Sequence, residues 1–223
     1  LDPETERVHL LLSETAEPGE WTLHLGFGGK LSDQLQGFYR STYSDDEGRT
    51  HTIATTQFES TDARRAFPCW DEPDLKAVFG VTLVTADGLL AISNGPEIGR
   101  ADAGGGRVRV RFADTMPMST YLVAFVVGSL DATEPVDVDG VPLRIVHRPG
   151  KADLTPFAAE VGAFCLRYFA DYYGIPYPYK KMDMVGLPDF AQGAMENLGC
   201  ITYRESLLLL DLDQATQPEI ATV

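Results

Sequence analysis

Near residue 150 the hydrophobic period of the sequence changes, and the two sides of that change call for different architectures. Upstream, the runs "RVHLLLS", "EWTLHLGFGG", "THTIATTQFE", "AVFGVTLVTA", "RVRVRFA", "TYLVAFVVGSL" and "VPLRIVHR" are short and rich in β-branched and aromatic residues. Asp87-Gly88, Asn94-Gly95, Gly104-Gly105-Gly106 and Asp139-Gly140 break them in the manner of tight turns. Short runs between such breaks predict strands joined to their neighbours, so this part is expected to form antiparallel sheets. None of the glycine clusters reads as a phosphate-binding loop. Downstream, Leu154, Phe157, Val161, Phe164, Cys165, Tyr168 and Phe169 recur at three- and four-residue spacing, with Asp153 placed to cap and Gly174 to terminate. That spacing predicts an amphipathic helix of about five turns. A boundary between two units is expected in "HRPGKAD", residues 147–153.

After the helix, "IPYPYKKMDMVGL" reads as a proline-rich entry to a strand, and "NLGCITYRESLLLLDL" as one or two more. The consecutive leucines 207–210 fit a strand buried on both faces. Thr216-Gln217-Pro218-Glu219 is a capping box that announces a further helix, of which Ile220 to Val223 follow. With Leu1 in place of Met, the chain reads as a piece of a longer protein.

At 223 residues, with 44% apolar content, the chain can bury a sizeable core as one large or two modest domains. Its net charge of −15 repels phosphate backbones and anionic lipid, so neither nucleic acid nor membrane is expected as a partner. No apolar run approaches the roughly 20 residues that span a bilayer, and no signal peptide is evident. Cys69, Cys165 and Cys200 are an odd, widely spaced set without a CxxC. Neither a disulfide framework nor a thiolate metal site is indicated, and a reducing, cytoplasmic location is expected.

Three stretches could carry chemistry. In "QFESTDARRAFPCWDEPDLKAVF", Gln57 and Glu59 share strand parity, so both are expected to project from one face of the same strand, an amide beside a carboxylate. The plainer reading of that stretch is a charged loop bracing two strands. In "GAMEN", Gly193 and Ala194 remove bulk where another backbone could approach, Met195 offers an adaptable apolar contact and Glu196 an anion. Its plainer reading is a loop-to-strand junction with Glu196 solvated. His9, His24, His51 and His147 show no HxH or HxxxH spacing, so no metal site is expected within this chain.

"GAMEN", with "TTQFESTDARRAFPCWDEPDLKAVF" and "LQGFYRS" upstream of it, resembles the aminopeptidase N family of zinc metallopeptidases. The motifs stand in the family's order, and the resemblance runs from about Thr5 to Val223. It implies a mainly β N-terminal saddle or sandwich domain followed by the first α+β part of a thermolysin-like catalytic domain. Residues 1–148 would be the β-saddle domain without its first strands, and 149–223 the beginning of the catalytic domain, cut before the zinc-binding helix. In that family the next segment is a helix bearing HExxH, so zinc is the implied cofactor of the intact enzyme, its ligands lying outside this chain.

The resemblance also assigns roles. Glu196 matches the family's ligand for the substrate's free α-amino group, and Glu59 a second carboxylate on the same ammonium. Gln57 matches a contact in the pocket for the first substrate residue. Gly193, Ala194, Met195, Glu196 and Asn197 would hold the substrate backbone extended along a strand edge, with Met195 bordering the first side chain. The implied partners are peptides with a free N-terminus, and the implied activity is that of a metalloaminopeptidase, with this chain inactive alone. Two alternatives are a non-catalytic scaffold of the same fold, against which the intact "GAMEN" speaks, and a bifunctional epoxide hydrolase and aminopeptidase. The latter tend to carry glycine at the pentapeptide's second position, where this sequence has Ala194.

Overall fold

The structure is a computed structural model and describes residues 2–221, so Thr222 and Val223, at the end of the announced helix, lie outside the described residues. A hairpin of β1 (Gly37–Ser44) and β2 (Thr50–Gln57) opens the ordered β-structure, paired from Gly37↔Gln57 to Ser44↔Thr50. There follow β3 (Thr82–Ala86), β4 (Leu90–Ser93), β5 (Glu97–Asp102), β6 (Arg107–Phe112) and β7 (Phe125–Gly128). They form two antiparallel sheets, β1-β2-β7-β4 and β3-β6-β5. Turn chemistry fixes the β5–β6 hairpin as expected, with Gly104, Gly105 and Gly106 at positive φ, whereas Gly88, also at positive φ, joins β3 to β4, which lie in different sheets.

The third sheet combines β8 (Asp131–Ala132), β9 (Val136–Val138), β10 (Val141–His147), β11 (Met182–Leu187), β12 (Ala194–Met195) and β13 (Cys200–Arg204). Its path is β12-β13-β11-β10-β8, with β9 also on β10. The pairs β10–β11 and β11–β13 are parallel, and β11 is buried along its whole length. Parallel pairing requires a crossover, which helix α1 (Pro156–Tyr173) supplies between β10 and β11. The boundary expected after residue 148 falls immediately after β10 and so cuts through this sheet. Two short helices follow, α2 (Glu205–Leu208) and α3 (Gln217–Ile220), the latter opened by the expected capping box at Thr216 and Glu219.

Four expectations are corrected. "RVHLLLS" and "EWTLHLGFGG" form no strand: Leu10, Leu12, Trp21, Leu23, Leu25 and Phe27 are exposed along an irregular tract. A strand exists only when a neighbour satisfies its ladder, and among the described residues the one pairing these runs make is a single bridge between Arg7 and Asp2. The leucine run is not a strand either; it turns into α2, with Leu208 and Leu209 buried. Asp153 does not cap α1, which starts from Thr155 with Pro156 in its first turn.

The face of α1 is also reversed. Its buried residues are Ala158, Gly162 and Ala163, while Phe164, Tyr168 and Phe169 point to solvent and stack on one another. The small residues win because the helix lies tight on β10 and β11: a Cβ on Gly162 would stand 2.7 Å from the Met184 sulfur and 3.0 Å from a Leu143 methyl. The helix ends where expected, at Gly174 in the left-handed conformation.

Candidate functional site

The first and third sheets share one core. Tyr43, Ile53, Ile92 and Val126 from the first pack with Val146, Val185, Leu187, Phe190, Met195 and Cys200 from the third. Asp189 locks this interface. Its carboxylate accepts from the Thr42 N–H (2.8 Å) and the Ser41 hydroxyl (3.2 Å), and its carbonyl accepts from the Tyr39 hydroxyl (3.0 Å). The segment that continues into Gly193–Asn197 is therefore keyed to β1 before it reaches the pentapeptide.

Within the pentapeptide, alternation along β12 turns Met195 inward and leaves Ala194 and Glu196 exposed. The Met195 side chain is fully buried in the shared core. Asn197 is buried as well and its amide reaches the Met195 carbonyl and the Thr202 hydroxyl. β12 pairs with β13 and is the outer strand of its sheet; its other edge has no strand among the described residues. Arg204 ties the front of the segment: its N–H donates to the Gly193 carbonyl (2.9 Å), and its guanidinium to the carbonyls of Phe190 and Ala191.

Gln57 and Glu59 do not share a strand face. β2 ends at Gln57, whose side chain is buried and whose Oε1 has no hydrogen-bond partner. Phe58 is buried between Phe67 and Phe125, and Glu59 follows in an exposed turn whose Glu59–Ser60 peptide is cis. Among the described residues neither Glu59 nor Glu196 makes a hydrogen bond or ion pair, although their neighbours are joined: Phe58 and Leu198 pack into one apolar cluster with Ala63, Met118 and Val123. Tyr203, opposite Ala194, has its phenol pushed up to about 12 by burial, with the charges of Cys165 and Glu196 adding to it.

Past Asn197 the chain makes a turn that sequence reasoning did not single out. Asn94, fully buried at the end of β4, donates from Nδ2 to the carbonyls of Leu122 and Leu198, both at 2.8 Å, and accepts from the Ala124 N–H. Asn94 was legible only as half of an Asn-Gly turn; nothing in the sequence places it against Leu198.

Among the described residues no group of three or more His, Cys, Asp and Glu could hold a metal ion. His51 is bonded to Asp45 and His147 to the Arg148 carbonyl.

The N-terminal domain of peptidase family M1 matches residues 1–122, and the peptidase family M1 domain matches residues 157–223. Aminopeptidase M1 of Arabidopsis thaliana is 48% identical over 208 residues, which is 93% of this chain and 23% of that protein. The puromycin-sensitive aminopeptidase of Caenorhabditis elegans is 42% identical, over 94% of this chain and 22% of its own length. Endoplasmic reticulum aminopeptidase 1 of Homo sapiens is 39% identical, over 96% of this chain and 23% of its own length. The chain thus spans about a quarter of the length of these relatives.

Proposed function

The chain belongs to peptidase family M1, and from that membership we propose that it is the part of a zinc-dependent aminopeptidase that recognises the free α-amino group of a peptide substrate. The observation that carries this reading is the pair Glu59 and Glu196: two carboxylates without partners among the described residues, on segments whose nearby residues Phe58 and Leu198 pack in one apolar cluster. A terminal ammonium has three donors, and two carboxylates can accept from it in charge-assisted hydrogen bonds. A peptide whose scissile bond lay deeper would bring no ammonium to them, which is the basis of exopeptidase specificity.

The remaining residues fit around that pair. Gln57 offers a buried acceptor at the end of β2 for the pocket of the first residue. The free edge of β12 lets an extended substrate add as a strand along Gly193 to Asn197, for which Met195 supplies backbone and Ala194 supplies little bulk. Zinc belongs, in this reading, to residues outside those described here, and the 223 residues assayed alone are expected to hydrolyse nothing. The three cysteines are free, with burial pushing the Cys69 thiol up to about 11 and the Cys200 thiol to about 12. Such inert thiols suit the cytoplasmic location proposed for the parent protein, and no helix among the described residues is long and apolar enough to cross a membrane.

The test is Glu196→Gln in the full-length protein, assayed on an aminoacyl anilide. Loss of one charge-assisted contact is expected to lower kcat/KM by about ten- to a hundredfold, mainly through KM, while the exposed site leaves thermal stability unchanged. An unchanged kcat/KM, or a variant that fails to fold, contradicts the assignment.

A further inference from the structure

Resting on that reading, we infer that Lys181 and Tyr177 are positioning residues for the ammonium site: together they clamp the peptide units on either side of Gly199 and so fix where Glu196 projects. Glu196 is exposed and its side chain has no partner among the described residues, so its position depends on the backbone that carries it. That backbone is fixed at the front by Arg204 on Gly193 and at the back by a turn in which the Cys200 N–H donates to the Asn197 carbonyl.

Both polar groups of Gly199 are engaged. Its N–H donates to the Tyr177 hydroxyl at 3.1 Å, and its carbonyl accepts from Lys181 Nζ at 2.6 Å and from the Asp183 N–H at 3.1 Å. Gly199 has φ of 75°, and a Cβ there would collide with the Asn94 carbonyl and the Tyr179 ring, so no other residue type fits this turn. Lys181 is itself held. Its ammonium lies 2.6 Å from Asp183 Oδ2, and Asp183 takes a bidentate contact from Arg144 at 2.8 and 3.0 Å.

A buried ion cluster of this kind contributes little net stability, because desolvation of the charges offsets their attraction. An apolar side chain at position 181 would fill the same space but take one of its two cations from Asp183. The ammonium adds direction: a donor aimed at one carbonyl, three residues from Glu196, from the residue that immediately precedes the fully buried β11. Tyr177 adds the matching acceptor. The two contacts thus hold two consecutive peptide units, Leu198–Gly199 by its N–H and Gly199–Cys200 by its carbonyl, and with them the path of the chain back to Glu196.

The experiment is a double-mutant cycle in the full-length protein, combining Tyr177→Phe or Lys181→Met with Glu196→Gln and reading KM, kcat and the thermal midpoint on an aminoacyl anilide. Tyr177→Phe is nearly isosteric and decides the matter should Lys181→Met fail to fold. Alone, Tyr177→Phe is expected to raise KM about three- to tenfold with kcat little changed, as for one lost hydrogen bond. In the Glu196→Gln background the same change should move KM by less than about twofold, because the group it positions is gone. If the two effects multiply in full, or if Tyr177→Phe lowers only kcat or the thermal midpoint, the positioning role is overturned. If Glu196→Gln alone leaves KM unchanged, the ammonium reading fails first and this inference falls with it.

Discussion

The amide oxygen of Gln57 is buried at the end of β2 without a donor. An acceptor left in that state costs about 1 to 3 kcal/mol, a cost that persists where a ligand supplies the missing donor. Gln57→Met keeps the volume and removes the orphan. It is therefore expected to be neutral or to stabilise the chain by about 1 kcal/mol in denaturant unfolding, while raising KM in the full-length protein. A clear loss of stability would mean that Gln57 has a partner within the fold. The residue scale is also where the sequence was least legible. Gln57 and Glu59 looked like neighbours on a strand face, yet the strand stops between them, because Phe58 is drawn into the aromatic cluster with Phe67 and Phe125. Parity shows which residues could share a face, not where a strand ends.

Among the elements, the sequence marked the position of α1 and the wrong face of it. The three- and four-residue spacing of its large aromatics is real, but the close approach to β10 and β11 is open only to Ala158, Gly162 and Ala163. Gly162→Val should therefore destabilise the chain by about 2 to 3 kcal/mol, from overpacking against Met184 and Leu143, read as a lower denaturant midpoint at constant m-value. A neutral result would show that α1 is free to lift from the sheet. The hairpins were legible because their turns are local chemistry. The runs at 7–13 and 20–29 were misread because strand formation depends on a partner, which no single run encodes.

Across the whole molecule, one core draws on residues from both sides of residue 148. Tyr43 and Ile53 pack with Val185 and Met195, and Asp189 bonds to β1 from the far side of residue 148. Such long-range contacts leave no trace in hydrophobic periodicity. Asp183 binds the third sheet electrostatically. Burial pushes its carboxyl up, but Lys181 and Arg144 together outweigh burial and hold it below its ordinary value of 3.8. A carboxyl whose folded pKa is depressed binds fewer protons when folded, so its contribution is complete above pH 3.8 and is lost as pH falls through the lower folded value. Asp183→Asn is expected to be less stable at neutral pH, with the gap to the parent chain closing on acidification. A gap that stays constant in acid would remove Asp183 from the acid response.

The most direct test of the central claim is a discrimination ratio in the full-length protein: the affinity for an amino acid amide divided by that for its des-amino analogue. If Glu59 and Glu196 read the ammonium, Glu196→Gln reduces that ratio by about tenfold or more while leaving the des-amino affinity unchanged. If the ratio is the same in both proteins, the α-amino group is read elsewhere and the account given for this chain is wrong.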